Sequence, residues 1–158
     1  MFDRREIVKQ LLADRGNLLV VSGLGAPTYD VAACGDNPLN FYLWGAMGGA
    51  AMVGLGLALA RPDRSVAVIT GDGEMLMGLG SFATIGVKQP ANLAIVVLDN
   101  EHYGETGMQA SHTHSGIDLS GIATACRFNT AISIAAEQDI DTARRSLRSR
   151  AGPTLVHV

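Results

Sequence analysis

The sequence predicts an α/β fold: an open, mostly parallel sheet of about five or six strands with helices on both faces. Two observations carry this. Short apolar, β-branched runs alternate along the chain with segments of helical periodicity, and glycine or proline breaks separate them. The runs are apolar at consecutive positions, as in strands covered on both faces, where right-handed crossovers place the helices.

Between Asp3 and Asp14, Ile7, Val8, Leu11 and Leu12 recur at helical spacing with charge elsewhere, which predicts an amphipathic helix. Asn17 to Leu24 reads as a buried strand bounded by Gly16 and by Gly25-Ala26-Pro27. Ala26 to Asn40, rich in Gly, Asp, Asn and Pro, reads as a loop. Trp44 to Ala60 is nearly all small or apolar and predicts a helix packed closely on several sides, stopped by Arg61-Pro62-Asp63. A strand from Ser65 to Thr70, a helix from about Met75 to Val87, a break at Pro90 and a strand from Leu93 to Leu98 repeat the pattern. Two further strands, Thr130 to Ile134 and Thr154 to Val158, flank a helix from about Ile140 to Arg150. Arg144, Arg145, Arg148 and Arg150 read as that helix's solvated face.

The 158 residues, 47% of them hydrophobic, suffice for one domain, 1–158, with a well-buried core. With 17% charged residues and a net charge of −3, nothing favours nucleic acid or an anionic membrane, and the low charge suggests a surface partly covered by neighbours. Cys34 and Cys126 are isolated, which indicates neither a disulfide framework nor a zinc site and fits a reducing compartment. The opening MFDRREIVKQ lacks the apolar core of a signal peptide, and the apolar runs are interrupted before membrane-spanning length. The expectation is a soluble, cytoplasmic protein.

In open α/β sheets ligands bind beyond the carboxyl ends of the strands. After the strand SVAVIT comes Gly71-Asp72-Gly73, and after LAIVVL comes Asp99-Asn100. If those strands are neighbours, the Asp72 carboxylate and the Asn100 amide oxygen converge, and hard oxygen donors of this kind suit Mg²⁺ with phosphate oxygens as its other partners. The flanking glycines let backbone N–H groups approach a phosphate, and the following helix points its positive end there.

The segment GDGEMLMGLGSFATIGVKQPANLAIVVLDNEHYG resembles the thiamine-diphosphate motif, in which GDG precedes NN or DN across one helix and one strand. The resemblance implies that Asp72, Asn100 and the backbone carbonyl of His102 hold Mg²⁺. It makes Gly71, Asp72, Gly73, Glu74, Met75, Asn100, Tyr103 and Gly104 cofactor-binding positions. Glu74 departs from the pattern, since many relatives carry a small or hydroxyl residue there; an acid must point away or find a cation. Trp44-Gly45-Ala46-Met47-Gly48 is similar to the family's segment that holds the aminopyrimidine. By position, the Gly45 carbonyl accepts from the 4′-amino group, the Met47 N–H bonds N3′, Ala46 lies between them, and the Met47 side chain wedges the cofactor into a bent shape. Ser22 and Gly23 stand where relatives bind the diphosphate, although Leu24 has no side-chain donor. Read as a dinucleotide loop, Gly23-x-Gly25 lacks its third glycine and meets Pro27.

The family's catalytic glutamate belongs to a pyrimidine-binding domain, so the resemblance implies a partner subunit carrying it and a hetero-oligomer. Glu105-Thr106-Gly107-Met108-Gln109 resembles the S-T-G-G-Q segment of sulfopyruvate and phosphonopyruvate decarboxylases, with Glu105 and Met108 as substitutions. That likeness implies a small 2-oxo acid substrate converted to an aldehyde and CO₂. His102, Thr106 and His112 are the catalytic candidates, with His114 completing a histidine-rich stretch suited to proton transfer near neutral pH. A carboligase or oxidoreductase half-chain, or a non-catalytic module that binds the cofactor, remain alternatives.

Overall fold

The computed structural model describes residues 3–158. Asp3 caps the first helix, α1 (Arg4–Leu12), by accepting the backbone N–H of Glu6 at 3.1 Å. That helix buries Ile7, Val8, Leu11 and Leu12, the stripe its periodicity predicts. There follow β1 (Leu19–Ser22), α2 (Ala26–Ala33), β2 (Asn40–Tyr42), α3 (Ala50–Ala60), β3 (Val66–Gly71), α4 (Asp72–Met77), α5 (Ser81–Lys88) and β4 (Leu93–Leu98). A short antiparallel pair, β5 (His102–Tyr103) and β6 (Gln109–Ala110), encloses a 3₁₀ turn at Gly104–Thr106. The chain ends with α6 (Leu119–Ala125), β7 (Thr130–Ser133), α7 (Glu137–Ser146) and β8 (Thr154–His157).

The main sheet has six strands in the order β2-β1-β3-β4-β8-β7, and every neighbouring pair is parallel. Alternate side chains of its strands feed two cores. On one face Val20, Ile69, Val96 and Val156 pack with Leu11 of α1, Val31 of α2 and Ala143 of α7. On the other, Val68, Ile95 and Leu155 pack with Leu55 of α3, Met75 of α4, Phe82 of α5 and Leu119 of α6. Burial on both faces is why these strands are apolar at consecutive positions. From β1 the chain crosses to one side, to β2; from β3 it crosses to the other, to β4. The connections therefore diverge between β1 and β3, which opens a crevice at the carboxyl ends of those strands. No helix among the described residues is long and apolar enough to cross a membrane.

The fold class is the one the sequence predicts, and several boundaries move. The expected loop from Ala26 to Asn40 contains α2 and β2, because Pro27 sits in the first turn of α2, where a missing N–H is harmless, and acts as a start signal rather than a breaker. The helix expected from Trp44 begins only at Ala50, since Gly45, Ala46 and Gly48 have φ of +92°, +51° and +90°. The helix expected over 75–87 is two helices, and the break lies at Gly78, packed so closely on the Gly48 carbonyl that a Cβ would overlap it. The β5–β6 pair and α6 are too short to leave a readable period. Arg148 is not part of a solvated face: it donates to the Ala13 carbonyl at 2.9 Å, and burial holds its guanidinium below the ordinary arginine range.

Candidate active site

A cleft opens at the switch point, walled by Leu24 and Pro27 beyond β1, Gly71–Glu74 at the β3–α4 junction, Leu98 at the end of β4 and Asn100 beyond it, and the turn from His102 to Thr106. Met47 closes one side and Arg4 another. Because β3 and β4 are adjacent and in register from Val66↔Leu93 to Gly71↔Leu98, the two polar strand ends meet, as the spacing predicts.

Asp72 is 2% exposed. Its Oδ2 accepts the Ser111 hydroxyl at 2.5 Å. Burial is the largest influence on this carboxyl and pushes it above its ordinary value, reinforced by the nearby Asp99 charge and opposed by Ser111 and the backbone N–H of Asn100. Asp99 goes the other way. Burial again pushes upward, but hydrogen bonds from His157, the Glu101 N–H and Thr113 outweigh it and hold the carboxyl below its usual range. His157 Nε2 lies 2.8 Å from Asp99 Oδ2, and the Thr113 hydroxyl donates to Asp99 Oδ1 at 2.9 Å while standing 2.8 Å from Ser111 Oγ. Ser111 and Thr113 thus tie both strand-end acids together. No local period marked them: residues 112–116 form a turn in which the Ser115 and Ile117 N–H groups donate to the His112 carbonyl, and there the Ser111 and Thr113 hydroxyls come within 2.8 Å of each other. Sequence reasoning singled out the histidines; the hydroxyls beside them reach the acid.

Glu74 neither meets a cation nor lies idle. It is 4% exposed, and its carboxylate accepts three hydrogen bonds. The Leu24 N–H donates to Oε2 at 3.0 Å, the Thr70 hydroxyl to Oε2 at 2.8 Å, and the Ala50 N–H to Oε1 at 3.3 Å. Ala50 opens α3, so the acid also sits at that helix's positive end. One side chain therefore joins the loop after β1, the end of β3 and the start of α3. Gly23 has its reason here, since a Cβ at that position would overlap the Glu74 carboxylate.

Of the residues singled out in the sequence, Met47, Gly71, Asp72, Gly73, Glu74, Asn100, His102, Tyr103, Gly104 and Thr106 line the cleft. Ser22, Gly23, Gly45, Ala46, Met75 and His112 do not. Ser22 is fully buried and its hydroxyl pairs with Thr28 Oγ1 at 2.8 Å, turned from the cleft by a helix that the loop expectation omitted. Met75 is 2% exposed and belongs to the core. Gly45 and Ala46 lie in the turn before α3. His112 is exposed and touches the site only through the Tyr103 hydroxyl, 3.4 Å from its Nδ1.

Asn100 Oδ1 accepts the His102 N–H at 3.1 Å, and the His102 ring nitrogen Nδ1 lies 2.8 Å from the Asn100 carbonyl, which shapes the turn leaving β4. The Thr106 hydroxyl donates to Gln109 Oε1 at 3.0 Å. Among the described residues no group of three or more His, Cys, Asp or Glu is arranged to hold a metal ion. A cation here would depend on Asp72 together with amide and backbone oxygens, a donor set that suits Mg²⁺ rather than a transition metal.

Residues 25–158 match the family described as thiamine pyrophosphate enzyme, C-terminal TPP binding domain. Over 132 residues the chain is 42% identical to the sulfopyruvate decarboxylase subunit beta of Methanocaldococcus jannaschii, a match covering 82% of this chain and 70% of that protein. Over 139 residues it is 42% identical to the phosphonopyruvate decarboxylase of Streptomyces viridochromogenes, covering 88% of this chain and 34% of that protein. It therefore spans most of the first relative and about a third of the second. A solved structure described as a thiamin diphosphate-dependent enzyme isolated from Mycobacterium smegmatis superposes with a TM-score of 0.79 over 96% of this chain and 30% of that one. At 21% identity that likeness is one of fold.

Proposed function

Because the chain belongs to the thiamine pyrophosphate enzyme family through its C-terminal TPP-binding domain, we propose that it is the diphosphate- and Mg²⁺-holding subunit of a cytoplasmic 2-oxo acid decarboxylase. Its substrate is sulfopyruvate or phosphonopyruvate, and a separate pyrimidine-binding subunit carries the glutamate that completes the site. The observation that carries the reading is the meeting of the buried Asp72 carboxylate with Asn100 over one cleft at the β1/β3 switch point. The relatives' names support the substrate class, and "subunit beta" in one of them supports a hetero-oligomer.

The residues present fit the cofactor. A buried carboxylate with an amide oxygen beside it is a hard donor set that a divalent cation would neutralise. When bound, thiamine diphosphate supplies the electron sink for loss of CO₂. In this reading Asp72, the Asn100 side chain and the His102 carbonyl hold Mg²⁺, and Gly71, Gly73 and Glu74 offer backbone N–H groups to the diphosphate. Ser111 keeps Asp72 in place through the 2.5 Å bond. Met47 supports the cofactor from the side, with Gly45 and Ala46 shaping the turn that presents it. Tyr103 and Gly104 wall the cleft, while His102, Thr106 and His112 stand on the side from which substrate enters; His112 reaches it through Tyr103.

Calorimetry tests the metal assignment: Asp72→Ala abolishes Mg²⁺-dependent binding of thiamine diphosphate, and an unchanged affinity overturns the reading. Product analysis with sulfopyruvate, phosphonopyruvate and pyruvate, using the chain together with its pyrimidine-binding partner, tests the substrate. Turnover of pyruvate alone overturns the assignment to sulfonated or phosphonated acids.

A further inference from the structure

The charge on the cleft wall is lopsided. Its lining includes the acids Asp72, Glu74 and Glu105, and among the described lining residues Arg4 is the one arginine or lysine. Arg4 opens α1, far along the chain from the GDG loop, and nothing in its local pattern marks it as functional.

Its setting is unlike that of a surface arginine. Nε of Arg4 is bonded to Oδ2 of Asp30, and Nε of Arg5 lies 3.2 Å from Oδ1 of the same residue. Asp30 belongs to α2 and has no exposed surface. Two cations thus converge on one buried acid, which leaves a surplus positive charge at the cleft edge. Gripping Nε removes much of the side chain's rotamer freedom before any ligand arrives. The Arg4 Nη groups make no hydrogen bond among the described residues, and the side chain keeps 40% of its surface. Arg5 is also held by Asp30 but lies outside the cleft wall.

We propose that Arg4 is the oxyanion ligand of this cleft, a guanidinium preset by Asp30 to hold a phosphoryl or sulfonyl group. The proposal rests on the thiamine diphosphate reading above. A planar fork of N–H donors matches two oxygens of such a group. That chemistry has two sources, the diphosphate of the cofactor and the acidic tail of a phosphonate or sulfonate substrate. Asp30 is a positioning residue that acts through Arg4.

The test is calorimetric titration of the full chain with Mg²⁺-pyrophosphate and, separately, with phosphonopyruvate, repeated at several salt concentrations. Arg4→Gln weakens at least one of the two by about tenfold and makes that affinity less sensitive to salt. A loss with pyrophosphate assigns Arg4 to the cofactor; a loss with phosphonopyruvate alone assigns it to the substrate. Arg4→Lys keeps the charge and the salt dependence but loses the fork, so its affinity falls severalfold. Asp30→Asn leaves the cation in place without its grip and loses less than Arg4→Gln.

Affinities within twofold of wild type in a folded Arg4→Gln overturn the proposal, as does a wild-type chain that binds neither anion. If Arg4→Gln fails to fold, an unchanged affinity in Arg4→Lys overturns it. Asp72→Ala keeps the two readings apart. Loss of Mg²⁺-dependent affinity in Asp72→Ala, with no loss for either anion in Arg4→Gln, overturns the role of Arg4 and leaves the cofactor reading standing. The reverse result supports Arg4 as an oxyanion ligand and overturns the cofactor reading.

Discussion

Replacing Glu74 with Gln keeps the shape of the side chain and removes one acceptor from the junction of three elements. The glutamine oxygen can stay with the Leu24 N–H and the Thr70 hydroxyl, which places its NH₂ against the Ala50 N–H that Oε1 accepts at 3.3 Å. A helix-initiating donor then faces another donor, at a cost of about 1–3 kcal/mol for a buried unsatisfied group. The two remaining bonds change from charged to neutral acceptor, each losing roughly half its strength. At 4% exposure little of this is relieved by solvent, so the total comes to about 3 kcal/mol. Urea denaturation should show the midpoint falling by about 1–3 M at an unchanged m value. A second measurement isolates the contact with Gly23. Gly23→Ala presses its methyl into the Glu74 carboxylate, so it should destabilise the wild type more than a Glu74→Ser background, with a coupling of at least about 1 kcal/mol. A Glu74→Gln loss below about 0.5 kcal/mol, or additive behaviour of the pair, would refute the view of Glu74 as the tie between these elements.

Gly86→Ala places a Cβ on the Cys126 carbonyl oxygen, which is backbone and cannot step aside; a loss of about 3 kcal/mol or more is expected in thermal or urea unfolding. An alanine that melts with the wild type would show that α5 and the end of α6 are not packed as described. Ser111→Ala removes the hydroxyl 2.5 Å from Asp72, and a stability loss of about 1–2 kcal/mol should accompany a severalfold weaker Mg²⁺-dependent affinity for thiamine diphosphate. Unchanged binding would mean that Asp72 needs no such support. Burial, and then the Asp30 charge, push the Cys34 thiol above its ordinary value, so at pH 8 less of it is thiolate. In a Cys126→Ser background its reaction with a disulfide reagent should be slower than that of a free cysteine peptide, with the midpoint of the rate displaced to higher pH. A midpoint at or below the peptide's would contradict that burial.

Much of the site was legible because its main elements are local. Asp99-Asn100 follows six apolar residues and Gly71-Asp72-Gly73 follows four and a β-branched Thr70, and a strand read from such a run carries its end loop with it. Adjacent parallel strands joined by a crossover are the common case, which is why Asp72 and Asn100 met as expected. The same reasoning failed at Ser22, because its partner Thr28 lies on a helix whose proline and flanking glycines read as loop. It overlooked Ser111 and Thr113 for a different reason. Charge and titration drew attention to His112 and His114, whereas the side chains turned toward Asp72 belong to the positions between and before them.

The sequence by itself determined the α/β class, the burial of the strands on both faces and the two strand ends that bear Asp72 and Asn100, since periodicity and turn residues act over a few neighbouring positions. Only the tertiary structure decided how the site is held together. Glu74 finds its donors at Leu24 and Ala50, Ser111 reaches back to Asp72, and Asp30 carries Arg4 to the cleft wall. Each of those partnerships depends on the order of strands in the sheet and on the crevice where that order reverses. A pattern of neighbouring residues records which face is buried, not which distant residue will be found there.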